Sequence, residues 1–287
     1  MDGRITRTLV HKASEDAVLI GPARSIDGHH WEFEARLPRD PSAPDTAGIP
    51  TILGLELMRQ TAIAYSHLQG GVPLEWALLM NELSFGWLRD IPGDTVGPFT
   101  GHVTVSTLAE DRRKGLVSGL ELEAALLAEG AMLGTGRGRL SCLSPTAYRA
   151  IRRNAPAVDR TAGSSLRCGL ADVGRRGNAL RGALAWNWDD PLIFDHFSDH
   201  LPGMLLARGM LDAHLALTGS EAARLDITCK NFGEFNAPAE VSAVQTAAEE
   251  THVSISQLGR TLATGICRGL RPNSAAFPLL TLDSPHA

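Results

Sequence analysis

The sequence predicts an α+β protein made of two tandem repeats, each a curved antiparallel β-sheet wrapped around one long central helix. Three observations predict it. The chain resembles itself, with Asp40-Pro41 recurring as Asp190-Pro191 and Pro50 as Pro202, the latter pair 152 residues apart. Each of those prolines opens an apolar run of helical length, ILGLELMRQTAIAYSHLQ and GMLLARGMLDAHLALTG. Each run is followed by segments of β type that end on a Thr-Gly pair, at Thr135 in one copy and Thr264 in the other. A helix that is apolar nearly all round must be covered on most sides, and a curved sheet does that. The arrangement is the hotdog fold, here twice in one chain.

The elements follow in order. GHHWEFEARL at 28–37 alternates polar and apolar residues as a half-buried strand does. A loop led by Asp40-Pro41 runs to Pro50 and the first helix. LLMNELSFGW (78–87), TGHVTVSTL (100–108), LVSGLELEAALL (116–127) and LGTGRGRLSCL (133–143) are strands separated by Gly, Asn or charged turns. YRAIRRNAPAVDRTAGSS loses all periodicity and gains basic residues, Pro, Gly and Ser, which places the boundary near Ala155 and the repeats at 1–155 and 156–287. ALRGALAWNW (179–188) opens the second copy, the loop after Asp190-Pro191 leads to Pro202 and the second helix, and LDITCKNFGEF, EVSAVQTAAEE and HVSISQLGRTLATGI supply its later strands.

Composition narrows the function. The chain's 287 residues suit about two domains. Their 44% hydrophobic content excludes disorder. With 27 Lys and Arg against 32 Asp and Glu, the net charge of −5 gives no general attraction to nucleic acid or to an anionic membrane. No apolar stretch has the length of a signal peptide or a membrane span, and the four cysteines, Cys142, Cys168, Cys229 and Cys267, lie far apart as reduced thiols do. A cytoplasmic protein without membrane insertion is expected.

Few residues carry chemistry. Glu56 and Arg59 are the only formally charged residues of the first helix, with Gln60 beside them, and a buried charge has to be paired or line a cavity. Their i, i+3 spacing also permits simple mutual neutralisation on a solvated stripe. FDHFSDHLPGM at 194–204 gathers Asp195, His196, Asp199 and His200 ahead of the second helix. There the imidazoles can exchange protons, while the N–H groups of Gly203 and Met204 at the helix start can stabilise an oxyanion. The plain alternative is a polar loop whose aspartates cap the helix. A zinc site through His196 and His200 lacks an evident third ligand, so no metal is expected. Arg208 stands where Glu56 stands in the first copy and offers an anion-binding group, although Asp212 at i+4 can pair with it inside the helix. The run GTGRGR lacks the Gly-Lys-Ser/Thr ending of a phosphate loop and reads as a strand.

VHKASEDAVLIG, the Glu-x-x-Arg-Gln helix at 56–60, GVPLEWALLMNELSF, DHFSDHLPGM and FGEFNAPAEV together resemble the A-factor biosynthesis hotdog family, the γ-butyrolactone synthases. The resemblance implies an acyltransferase that passes a β-ketoacyl chain from acyl carrier protein to a hydroxyl of dihydroxyacetone phosphate or a similar small phosphorylated alcohol, without a cofactor. Residue by residue it carries over Glu56, Arg59 and Gln60 of the first helix and Asp195, His196, Asp199, His200, Pro202 and Gly203 of the loop. Glu56, His196 and His200 are thus expected to be catalytic and Arg59, Gln60, Asp199 and Gly203 to surround the substrate, with Met204 at the helix start and Arg208 as an anion-binding group added from the residues themselves. The family usually repeats Glu-x-x-Arg-Gln in its second helix, and here Arg208, Leu211 and Asp212 replace it. One composite site is therefore expected, made from the helix of the first repeat and the loop of the second. The alternatives are a hotdog thioesterase or dehydratase acting on an acyl thioester, and a catalytically degenerate homologue that binds acyl chains or butyrolactones.

Overall fold

The computed structural model describes residues 5–39, 49–89, 98–160 and 167–269. Two 3₁₀ turns, Arg7–Val10 and Glu15–Ala17, lead into β1 (Ile20–Ser25), β2 (His30–Leu37), α1 (Thr51–Leu68), β3 (Ala77–Trp87), β4 (Phe99–Arg113), β5 (Leu116–Ala128) and β6 (Ala131–Leu143). After α2 (Pro145–Arg152) the pattern returns as β7 (Gly169–Arg176), β8 (Ala179–Ala185), α3 (Gly203–Thr218), β9 (Arg224–Cys229), β10 (Glu240–Ala247), β11 (Glu250–Gln257) and β12 (Arg260–Arg268).

All twelve strands join one antiparallel sheet in the order β1-β2-β4-β5-β6-β3-β9-β12-β11-β10-β8-β7. Read outward from its middle, each half has the same sequence of strands, so β1 to β6 map onto β7 to β12 and α1 maps onto α3. The halves meet where β3 pairs β9, from Glu82 opposite Thr228 to Gly86 opposite Arg224. This is the tandem double hotdog expected from the internal repeat.

The repeat holds down to the backbone. Pro50 and Pro202 occupy the N-cap positions of α1 and α3 with φ, ψ of −68°, 151° and −63°, 145°. A fixed φ and a missing N–H suit that position, where no intrahelical donor is needed. Thr135 lies in β6 and Thr264 in β12, and GTGRGR is strand as expected. Asp40-Pro41, the partner of Asp190-Pro191, lies outside the described residues.

Both helices are covered on nearly every side. Leu55, Leu57, Ala64 and Tyr65 of α1, and Leu205, Ala207, Met210 and Ala213 of α3, are at most 1% exposed, each large side chain contributing about 1.5–3 kcal/mol of burial. α1 packs chiefly on β3, and α3 on β7 and β10, while the two helices touch each other. Gly54 allows α1 its close approach, because a Cβ there would fall inside the Phe85 ring. Among the described residues no helix is long and apolar enough to cross a membrane.

Where sequence periodicity shows only loss of pattern, the structure has α2. Ser144 accepts a hydrogen bond from the Ala147 N–H and Pro145 sits in the first turn, an N-terminal signature that makes a helix of residues whose side chains read as a linker.

Candidate active site

Glu56 projects from the second turn of α1 and is fully buried. Arg59, one turn on, donates from Nε to Oε2 at 2.7 Å and from Nη2 to Oε1 at 2.8 Å, a bidentate pair. Gln60 donates to Oε1 at 2.9 Å, and the Lys12 ammonium lies 3.2 Å from the same oxygen. Burial alone would raise this carboxyl, but the Arg59 guanidinium, its hydrogen bonds, the Lys12 charge and the Gln60 amide outweigh burial and hold it below the ordinary carboxylate range. Arg59 is in turn raised, since its pairing with Glu56 exceeds the penalty of burial. Glu56 is thus an anion at neutral pH, and its oxygens are already engaged. Gln60 is equally committed: its oxygen accepts from the Leu19 N–H, and its amide donates to the Ala17 carbonyl as well as to Glu56.

Lys12 carries the arrangement into the second repeat. Its Nζ donates to the Leu192 carbonyl at 3.0 Å and lies 3.3 Å from Asp195 Oδ1. The side chains of Lys12, Glu56 and Asp195 are 1%, 0% and 5% exposed, so two carboxylates and two cations, counting Arg59, form a neutral cluster largely out of water. Asp190 fixes the approach of this loop, its Oδ1 accepting from the Leu192 and Ile193 N–H groups in the manner of an Asx turn. Asp195 then takes the Ala13 N–H on Oδ2 at 2.9 Å and the His196 Nδ1 on Oδ1 at 2.7 Å. Burial pushes the Asp195 carboxyl up, yet the His196 hydrogen bond, the Ala13 N–H and Lys12 bring it down to about 2.

Three contacts, of 3.2, 3.3 and 2.7 Å, therefore connect Glu56 of the first-repeat helix to the His196 imidazole of the second-repeat loop. The His196 side chain is 43% exposed, and its Nε2 has no hydrogen-bond partner among the described residues. An ionised Asp on one ring nitrogen and an open second nitrogen is the arrangement a general base needs. A second imidazole pair adjoins it. His67 Nδ1 meets the Val72 carbonyl at 2.7 Å, which leaves its Nε2 to accept from His11 Nε2 at 3.0 Å. Burial, then the neighbouring His67, Arg59 and His196, lower His11 to about 4, so it stays neutral near pH 7.

His200 and Asp199 sit elsewhere in the contact network. His200 Nδ1 contacts Asp199 Oδ1 at 2.7 Å and the Tyr148 hydroxyl at 3.3 Å, with its ring edge-on to Phe232. Tyr148 donates to Asp199 at 2.7 Å, and Arg152 bonds Asp199 and, through both terminal nitrogens, Glu234 while lying over the Phe232 ring. Asp199 is held far below the usual range because the hydrogen bonds of His200 and Tyr148, with the charges of His200 and Arg152, overcome burial. This cluster fastens α2 to the loop.

The second helix is different. Arg208 Nε lies 3.4 Å from Asp212 in its own helix without a hydrogen bond to it, while Asp212 accepts from the Leu170 N–H, so the intrahelical pair is one of charge alone. The segment that would face it by analogy with the first site, 41–48, lies outside the described residues. Gly203 packs against Met80 and has Cys229 nearby, where a Cβ would run into the Met80 methyl. The Gly203 and Met204 N–H groups precede the intrahelical ladder and bond to nothing among the described residues, as the first N–H groups of a helix must unless capped. No group of His, Cys, Asp and Glu among the described residues could hold a metal ion.

Sequence reasoning passes over Lys12, His11, His67, Tyr148 and Arg152. Lys12 and His11 lie in the VHKASEDAVLIG motif of the resemblance, which marks the segment, but no periodicity there assigns either residue a role. Tyr148 and Arg152 could have been found through the Ser144-Pro145 helix start.

Comparison with known proteins bears on this geometry. Residues 2–144 match the model of the A-factor biosynthesis hotdog domain. The chain is 28% identical over 240 residues to a 2-oxo-3-(phosphooxy)propyl 3-oxoalkanoate synthase of Streptomyces virginiae, covering 77% of this chain and 79% of that protein. It is 26% identical over 225 residues to a protein of the same name from Streptomyces griseus, covering 72% and 74%. Among solved structures, a 12:0-ACP thioesterase from Umbellularia californica superposes with a TM-score of 0.50 at 7% identity, over 85% of this chain and 98% of that one. That last likeness concerns the fold alone.

Proposed function

Through residues 2–144 the chain belongs to the A-factor biosynthesis hotdog family, and from that premise we propose that it is an acyltransferase that esterifies a small phosphorylated alcohol with a β-ketoacyl chain. The synthases it resembles are named for such an ester, a 3-oxoalkanoate of a 2-oxo-3-(phosphooxy)propyl group. Dihydroxyacetone phosphate is the acceptor that name implies, and the β-ketoacyl thioester of acyl carrier protein is the donor.

In this reading His196 Nε2 takes the proton of the acceptor hydroxyl as its oxygen attacks the thioester carbonyl carbon. The tetrahedral oxyanion is stabilised by the unbonded N–H groups of Gly203 and Met204. As it collapses, the carbon–sulfur bond breaks and His196 returns the proton to the departing thiolate, leaving ester and free thiol. Asp195 orients the imidazole and stabilises its charged form. Glu56, saturated with donors, anchors Lys12 and Arg59 rather than moving a proton. Arg59 uses Nε and Nη2 on Glu56 and keeps Nη1 for the phosphate, and Arg208, committed to Asp212, is the weaker phosphate ligand. Asp199 and His200 shape the loop from the α2 side.

The observation that carries this reading is the unbroken series of contacts from Glu56 through Lys12 and Asp195 to His196, which joins the helix of one repeat to the loop of the other. The test is incubation of the purified protein with β-ketoacyl thioesters, with and without dihydroxyacetone phosphate, followed by mass spectrometry. Ester that forms only with the acceptor supports transfer. Free acid in both reactions would make the protein a thioesterase, and unchanged thioester would make it a binding homologue.

A further inference from the structure

We propose that Lys12 is a positioning residue: a buried ammonium, shared between Glu56 and Asp195, that locks the first-repeat helix to the second-repeat loop and offsets the negative charge felt by His196. The inference rests on the reading of His196 as the base, and it adds a residue from the N-terminal segment to that machinery.

Three features carry it. An ammonium has three N–H donors, and Lys12 Nζ has three oxygen neighbours, Glu56 Oε1 at 3.2 Å, Asp195 Oδ1 at 3.3 Å and the Leu192 carbonyl at 3.0 Å. They belong to two repeats. With a side chain 1% exposed, Lys12 has almost no water to fall back on, so its position is dictated by those three partners. Finally, Glu56 retains Arg59 and Gln60 without Lys12, whereas Asp195 would keep only the Ala13 N–H and His196. Removal of Lys12 therefore takes from Asp195, and not from Glu56, its one hydrogen-bonded cation outside the loop, and leaves His196 beside a carboxylate compensated only by the Ala13 N–H and the more distant Arg59 charge.

The sign follows from the charges around His196. Asp195, on its own loop, favours a charged imidazole, whereas the Lys12 ammonium, 3.3 Å from the same Asp195 oxygen, offsets that carboxylate, with Glu56 paired to Arg59 and His11 uncharged beside them. Loss of the Lys12 charge tips that balance toward the imidazolium, so His196 should hold its proton to higher pH. A lysine that merely filled space would leave the titration where it was.

The experiment compares the full-length protein with Lys12→Met and Lys12→Arg, following the His196 imidazole by NMR against pH and assigning it with His196→Asn. In Lys12→Met the midpoint should rise by about one pH unit, the acid limb of kcat/KM should move with it, and Lys12→Arg should restore both. An unmoved His196 midpoint in folded Lys12→Met would overturn the proposal. Should Lys12→Met not fold, Lys12→Gln, which keeps a donor and drops the charge, takes its place with the same expected shift. Failure of Met, Gln and Arg variants alike to fold would assign Lys12 to stability and likewise end the positioning role. The NMR titration needs no turnover, so absence of ester in the wild type would remove the proposed reaction while leaving the role of Lys12 decidable.

Discussion

Glu56 and Arg208 stand at the same turn of the two repeated helices, each six residues beyond its proline, and carry opposite charges into different surroundings. Glu56 is fully buried beneath Arg59, Gln60 and Lys12, while the Arg208 side chain is 38% exposed and turns to Asp212. Burying an ionised group without partners is costly. The first position meets that demand by recruiting a lysine from outside the helix and, through it, the loop of the other repeat. The second meets it within one turn of its own helix, and so stays local.

Replacing Glu56 should act on stability as much as on rate. In Glu56→Gln the Lys12 and Arg59 cations lose their buried counter-charge, which costs about 3 kcal/mol. Denaturant titration should show a lower midpoint at unchanged slope, and a variant as stable as wild type would mean that the cluster is wetter than its burial indicates.

The two loop histidines should separate. His196→Asn is expected to lower ester formation by about 10²-fold or more, the scale of a lost general base. His200→Asn, which disturbs the Tyr148 and Asp199 contacts, should lose less than about tenfold. Equal losses in a thioester assay would move the base, or share it between the two.

Asp212→Asn should leave the rate nearly alone and cost no more than about 1 kcal/mol, as a partly exposed intrahelical pair does. Gly169→Ala should cost more than about 1 kcal/mol: Gly169 has φ of +127°, and its Cβ would strike Asp212 Oδ2. Thermal midpoints of the two variants, measured together, test whether the α3–β7 contact is set by backbone conformation rather than by charge.

Acid should destabilise the protein in two stages. His11 is lowered to about 4 from 6.5, so as pH falls through that window the unfolded chain binds a proton that the folded chain refuses, and stability is lost. Asp195 contributes fully above about pH 5 and loses its contribution as pH falls from the ordinary 3.8 through its own value of about 2. Unfolding free energies at a series of pH values should decline from 6.5 downward, and His11→Gln should flatten the first part of that decline without touching the second.

Much of this was legible in the sequence because repetition needs no interpretation. Pro50 and Pro202 mark two helix starts whose backbones agree, and the apolar runs behind them could only be central helices. The contact of α1 with the second-repeat loop was foreseeable only by analogy with paired hotdog units, in which the helix of one faces the loop of the other. Lys12 was not. Its role depends on a three-dimensional coincidence with Glu56, Leu192 and Asp195, up to 183 residues away, and although it lies in the VHKASEDAVLIG motif, its residue type alone reads as a solvated lysine. Gln60 shows the opposite limit: its type and spacing suggest a ligand contact, yet its amide is taken up by Ala17, Leu19 and Glu56.

The seam between β3 and β9 has a further consequence. Five residue pairs, from Glu82 with Thr228 to Gly86 with Arg224, make one sheet of two halves that belong to a single polypeptide. In a symmetric dimer of separate chains, one gene would write every substitution into both halves at once, and an arginine at the Glu56 position would abolish both copies of the buried carboxylate. Here inheritance is asymmetric. One half can exchange a carboxylate for a locally paired guanidinium, as Arg208 beside Asp212 does, while the other keeps its buried charges, and the chain retains the two-fold frame without the obligation to keep two identical helices.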